Sequence, residues 1–190
     1  MDLADPVAVA LAVADCLRAE ALPHALYGGL LLAAYGDARE TKDVDLAVVN
    51  PDPGAVAGLL DRRLGLRTVL AFERQAFGGV VVSRVTLVEG EELNTLDLVE
   101  PADSAYAVRA MDRAIDSTLR DRPIRVLSPE DFVLFKLLSS RERDLEDARS
   151  VVRALGSELD EAVVDEEVRA LAKTETESRL TARWRSARRP

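Results

Sequence analysis

The chain has 190 residues and a mass of 20.7 kDa. That is enough for one globular domain burying roughly 70% of its unfolded surface without disulfide or metal support. With 48% apolar and 31% charged residues it is not a wholly disordered chain. Its single cysteine, Cys16, excludes an internal disulfide, and its single histidine, His24, excludes a histidine-rich metal centre. Any chemistry therefore falls to carboxylates and basic groups. The net charge of −9 opposes non-specific binding to a nucleic-acid backbone. The charge is uneven: residues 173–190 hold six basic and two acidic side chains, which leaves −13 on residues 1–172. The uncharged run 25–35 is too short to span a bilayer and contains two glycines. Asp2, Asp5 and Asp15 do not suit a secretory leader, so a cytoplasmic location and no membrane partner are expected.

In chain order, Asp5-Pro6 caps a first helix whose stripe is Val9, Val13 and Leu17, with Cys16 beside them, and Pro23 ends it. A short strand at 25–27 leads into Gly28-Gly29 and an apolar helix over 30–35. A polar loop over 37–42 precedes an alternating strand over 43–49. The turn Asn50-Pro51-Asp52-Pro53-Gly54 opens a helix over 56–64, closed by Gly65. Strands are predicted at 68–72, 80–87 and 95–99, with hairpin turns at Gly78-Gly79 and Glu89-Gly90. Residues 103–119 read as one helix and 124–127 as a short strand. Ser128-Pro129-Glu130-Asp131 is a strong helix start, followed by helices from 143 to 155 and over 158–172. The order predicts a mixed sheet with helices and a C-terminal helical cap. The expected division is a core over 1–127, helices packed on it over 128–172, and a basic, flexible tail over 173–190.

The sharpest chemical feature is Asp43-Val44-Asp45 in the strand Asp-Val-Asp-Leu-Ala-Val-Val. Alternation puts Val44, Leu46 and Val48 on one face and both acids on the other, roughly 6.6 Å apart along the strand. Such a pair suits one or two hard divalent cations, and equally suits a solvent-facing edge. Upstream, Gly28-Gly29 lies where backbone could approach a phosphate at a helix start; a packing bend would use the same residues. Asp97 is a lone acid in the apolar run Leu96-Asp97-Leu98-Val99, costly unless paired or metal-bound. Lys136 stands among Phe132, Val133, Phe135 and Leu137, either directed at a ligand or snorkelling to solvent. Arg39 precedes the acidic strand as a phosphate contact or an exposed loop residue. Trp184, among Arg183, Arg185, Arg188 and Arg189, suits base stacking or a frayed tail.

At these residues the sequence resembles the DNA polymerase beta-like nucleotidyltransferase superfamily. It is most similar to the minimal bacterial branch related to the AbiEii-type toxins. The resemblance rests on Tyr27 to Leu46 and on Ser128 to Asp147, and it covers about residues 20–155. It implies an α+β (α/β) fold with a nucleotidyltransferase-like mixed sheet flanked by helices. It implies two Mg²⁺ ions held by Asp43, Asp45 and Asp97, with Asp97 also a general base. Gly28 and Gly29, with Arg39 and Thr41, would contact the nucleotide. Lys136 would face the triphosphate, and Asp144 or Asp147 would orient Lys136 or the nucleotide. The implied reaction moves a nucleoside monophosphate from an NTP to an RNA 3′ end such as a tRNA, a protein or a small molecule. The branch also implies a role as the toxin of a toxin–antitoxin pair, with a cognate partner protein. The alternative is a catalytically idle binding or antitoxin module on the same fold. Two departures stand out: Gly29 replaces the serine of the Gly-Ser form, and Leu30 stands where many antibiotic-modifying members carry tryptophan.

Overall fold

The computed structural model describes residues 1–172 and 177–189. The elements are α1 (Pro6–Ala19), β1 (His24–Tyr27), α2 (Gly28–Tyr35), β2 (Val44–Val48), α3 (Pro53–Leu64), β3 (Arg67–Phe77), β4 (Val80–Glu89), β5 (Glu92–Pro101), α4 (Ser104–Asp112), β6 (Ile115–Leu119), β7 (Arg122–Val126), α5 (Pro129–Leu138), α6 (Glu142–Leu155), α7 (Glu161–Leu171) and α8 (Glu177–Ala187), with a 3₁₀ turn at Gly156–Glu158 before α7. The strands form one mixed seven-stranded sheet in the order β3-β4-β5-β2-β1-β7-β6. β2 runs parallel to β5, and β1 parallel to β7; the remaining neighbours are antiparallel. This is the mixed sheet with flanking helices that the order of elements predicts. Buried apolar residues from Leu3 to Ala187 form one continuous core.

Local chemistry explains the helix starts. The Asp5 carboxylate accepts the N–H groups of Val7 and Ala8 at 3.0 and 3.3 Å, and Pro6 needs no donor partner. Asp52 and Asp103 cap α3 and α4 in the same way. Ser128 caps α5 by accepting the Asp131 N–H at 3.1 Å. The Asp131 side chain then turns inward. It accepts from Tyr106 Oη at 3.0 Å, from Ser128 Oγ at 3.0 Å, and from Arg113 Nε and Nη2 at 2.9 and 2.7 Å. Glu167 on α7 accepts from Arg109 and Arg113. This network ties α4, α5 and α7 together.

Two expectations are corrected. The single helix over 103–119 is α4 followed by β6, which pairs with β7 across the turn Arg120-Asp121. Both turn residues have positive φ, 49° and 61°, a geometry usually signalled by Asn-Gly and here unmarked. The basic tail is not frayed where it is described: residues 173–176 and 190 lie outside the described residues, but α8 is a docked helix. Leu180, Trp184 and Ala187 lie on one helical stripe and are buried. Trp184 donates from Nε1 to Asp165 Oδ1 on α7 at 2.6 Å, so it offers no free ring for base stacking.

Candidate functional site

The site is a consequence of strand register. Tyr27 on β1 is opposite Asp45 on β2, Asp45 is level with Asp97 on β5, Asp97 is opposite Arg84 on β4, and Arg84 is opposite Phe72 on β3. Directly paired residues share a face, so these side chains form a row across five strands. Asp43 lies two residues before Asp45 and falls on the same side; its Oδ1 accepts from Thr95 Oγ1 at 2.5 Å. Val44 and Leu46 are buried on the opposite face. The three acids that the sequence singles out therefore lie on one face of two adjacent strands.

Their electrostatics differ. Asp45 is pushed up to about 6 by burial first and by the neighbouring Asp97 second. The Lys136 charge and the Gly29 N–H, which donates to it, pull the other way, and Asp43 adds a smaller upward push. Asp97 is 3% exposed and is gripped by a two-pronged fork: Arg84 Nε and Nη2 donate to its two oxygens at 2.7 and 2.8 Å. Arg84 also lies 5.5 Å from the Phe72 ring centroid. Among the described residues no three acidic, histidine or cysteine side chains are gathered closely enough to hold a metal ion as they stand. The reason is visible: Asp97 is turned onto Arg84 and Asp43 onto Thr95.

The Gly-Gly pair has a packing reason as well. Gly28 has φ +68°, and a Cβ there would lie 1.9 Å from Asp45 Oδ2. A Cβ on Gly29 would lie 2.7 Å from Thr41 Oγ1. The backbone is thus held against the Asp45 carboxylate, with Thr41 closing the other side and donating to the Asp43 carbonyl at 3.3 Å. In this arrangement α2 begins at Gly28 itself.

Lys136 does not snorkel. It is 4% exposed, and its Nζ lies 2.7 Å from Asp144 Oδ1 and 2.8 Å from Asp147 Oδ2. The rings of Tyr27 and Phe132 lie 5.2 and 5.7 Å from it. Burial raises the Asp144 carboxyl, but Lys136, the Ser139 hydroxyl and Arg141 together outweigh burial and hold it below the usual range. Arg39 joins the same cluster through Asp147 at 3.2 Å, and its buried Nε has no hydrogen-bond partner. Arg39, Lys136, Asp144 and Asp147 therefore form one group, and Gly28, Gly29, Thr41, Asp43, Asp45 and Asp97 another. A cavity of about 30 Å³ connects them, lined by Asp45, Asp97, Lys136, Ser139, Arg141 and Asp144 among others. That is room for about one water molecule.

Sequence reasoning gives no role to Arg84, Ser139 or Arg141, although Arg141 lies in the Ser128 to Asp147 stretch that carries the resemblance. Arg84 had a signal: a lone cation in one strand of a hairpin whose other strand carries its one aspartate at the mirrored position about the Gly90-Glu91 turn. Ser139 and Arg141 sit in the α5–α6 turn, where sequence offers no such symmetry.

Comparison with known proteins bears on the family and the fold. A family model described as "Nucleotidyl transferase of unknown function (DUF2204)" matches residues 9–185. No curated protein is similar enough in sequence to count as a relative. Among solved structures, the antibiotic-resistance factor ANT(2″)-Ia is similar at 19% identity and a TM-score of 0.54, over 87% of this chain and 92% of that one. Its complex with adenylyl-2″-tobramycin is similar at 19% identity and 0.52, over 84% and 95%. A nucleotidyltransferase-like protein from H. pylori is similar at 15% identity and 0.51, over 98% and 83%. These likenesses carry the fold, and among the described residues no helix is long and apolar enough to cross a membrane. The family match spans nearly the whole chain, including both site groups, and on that ground the protein belongs to the DUF2204 nucleotidyl transferase family and is a nucleotidyltransferase.

Proposed function

We propose that the protein is a Mg²⁺-dependent enzyme that transfers a nucleoside monophosphate from an NTP to an acceptor hydroxyl. The observation that carries this is the placement of Asp45 level with Asp97 on adjacent parallel strands, with Asp43 on the same face and the Gly28 backbone packed against Asp45. The donor set suits magnesium, since all three ligands are carboxylates and hard cations take oxygen. Asp45 is raised by burial first and by the neighbouring Asp97 second, and a divalent cation bound beside it would offset both. Asp43, Asp45 and Asp97 would hold the metal, which when bound supplies charge neutralisation for the triphosphate.

This chain's own residues do the rest. Gly28 and Gly29 let backbone come close to the nucleotide beside Asp45, with Thr41 backing them. Asp97 would accept the proton of the acceptor hydroxyl, with Arg84 orienting its carboxylate. Lys136 is shared between Asp144 and Asp147, and with Arg39 it fixes the wall of the cavity.

The acceptor class best supported is a small hydroxyl-bearing molecule, as in the ANT(2″)-Ia complex with an adenylylated aminoglycoside. The docking of α8 supports this too, because it removes the free basic arm that a long RNA footprint on an acidic body would need. Transfer from an α-³²P-labelled NTP tests the reading. Label on a small molecule supports it, and label on RNA or protein reassigns the acceptor. No transfer with any of the four NTPs and a cell lysate overturns it. A role as the AbiEii-like toxin of a pair adds a separate expectation: expression arrests growth, and Asp45→Asn relieves the arrest.

A second reading, an idle binding module, draws on one observation: Arg84 already neutralises Asp97. It predicts a stable protein partner and no Mg²⁺-dependent NTP binding.

A further inference from the structure

The wall opposite the carboxylates is the α5–α6 turn, and it is pinned from two directions. The β3–β4 hairpin reaches it through main-chain bonds: Gly79 N–H donates to the Leu138 carbonyl at 2.8 Å, and Ser140 N–H to the Phe77 carbonyl at 3.1 Å. Gly78 makes this approach possible. Its φ is +72°, and a Cβ there would meet the Leu138 carbonyl oxygen at 2.7 Å. From the other direction, Arg183 on α8 donates to the carbonyls of Leu137 at 3.0 Å, Lys136 at 3.4 Å and Arg141 at 3.0 Å. Arg183 is buried and caps the C-terminal end of α5.

The turn so held presents Arg141. Its N–H is taken by Ser139 Oγ at 3.2 Å and its carbonyl by Arg183, so its backbone has little freedom. Its guanidinium carbon lies 4.2 Å from the centroid of the Phe77 ring. Seating on a ring face leaves the in-plane N–H donors of a guanidinium unused. The cations that line the carboxylate cavity are Lys136 and Arg141. Lys136 has two carboxylates within 2.8 Å. Among the described residues Arg141 has no ion-pair partner, although it is exposed and preplaced.

We propose that Arg141, rather than Lys136, is the residue that grips the polyphosphate of the incoming NTP. This rests on the nucleotidyltransferase reading and names a substrate-binding residue within it. A forked, always-charged donor set matches two phosphate oxygens at once, which an ammonium already shared between two carboxylates does not. The Phe77 ring holds the guanidinium over the cavity before substrate arrives, so little side-chain freedom is lost on binding.

The test is calorimetric titration of wild type, Arg141→Ala and Arg141→Lys with ATP and with AMP, both with Mg²⁺. Arg141 is exposed, and the thermal midpoint of each variant confirms that it folds. Arg141→Ala is expected to weaken ATP binding about ten- to a hundred-fold. AMP binding, which involves no β- or γ-phosphate, stays within about twofold of wild type, and Arg141→Lys recovers only part of the ATP affinity. Unchanged ATP affinity in Arg141→Ala overturns the proposal while leaving the parent reading intact, and so does an equal loss for AMP and ATP. Where wild type prefers another base, the same titration is run with that NTP and its monophosphate; a wild-type protein that binds none of the four NTPs overturns the parent reading and takes this proposal with it.

Discussion

Two clusters of buried charge in this molecule are built on opposite plans. Between α4, α5 and α7, the fully buried Asp131 and the nearly buried Glu167 are each met by arginine forks, with Tyr106 and Ser128 filling remaining positions. Glu167 is raised by burial but carried below the usual carboxylate range by Arg109 and Arg113. On the β2–β5 face, Asp43, Asp45 and Asp97 are gathered with a single fork among them, and Asp45 is pushed up to about 6. Charge that is matched on the spot holds helices together. A buried carboxyl raised beside a cavity, as Asp45 is, marks a candidate ligand site.

The largest effect expected from that contrast is on catalysis. Asp45→Asn should lower nucleotidyl transfer at least a thousand-fold, about 4 kcal/mol, in a labelled-NTP assay. The metal-free protein should nevertheless gain stability in urea titration, by about 1 kcal/mol, because a crowded like charge has been removed. The matched cluster should behave in the reverse way. Asp131→Asn breaks a fork onto a buried carboxylate and should cost about 3–4 kcal/mol by the same titration. Next comes Gly28→Ala, whose methyl would strike the Asp45 carboxylate at a positive-φ position. A loss of about 2 kcal/mol in stability together with most of the activity is expected. The smallest effect is the pH dependence of Glu167. Its folded value lies below the ordinary 4.5, so its contribution is present above that pH and is lost as pH falls through the folded value. Glu167→Gln should remove about 1 kcal/mol at neutral pH and flatten the acid limb of the stability curve.

Much of the fold was legible because period and punctuation agree. Val44, Leu46 and Val48 alternate with the acids, Ser128-Pro129 opens α5, and a lone aspartate in an apolar strand marks Asp97. What the sequence hides are features set by register and by partners distant in the chain. β6 follows α4 without glycine or proline, and its turn uses Arg120-Asp121 in a conformation those residues do not advertise. Leu180, Trp184 and Ala187 do form a stripe, but six basic residues around it mask a helix that docks on α7. Lys136, Asp144 and Asp147 are grouped in the sequence by the resemblance over Ser128 to Asp147. That they neutralise the lysine is a matter of two distances, and the cavity role of Arg141 becomes visible only once Lys136 is accounted for.

Asp43, Asp45 and Asp97 are proposed to form a cation-dependent nucleotide site. Electron paramagnetic resonance of Mn²⁺ with ATP, titrated with wild type and with Asp45→Asn, addresses it directly. Wild type is expected to deplete the resonance of Mn²⁺·ATP, and Asp45→Asn is not. Equal depletion by both proteins, or none by wild type, would contradict it.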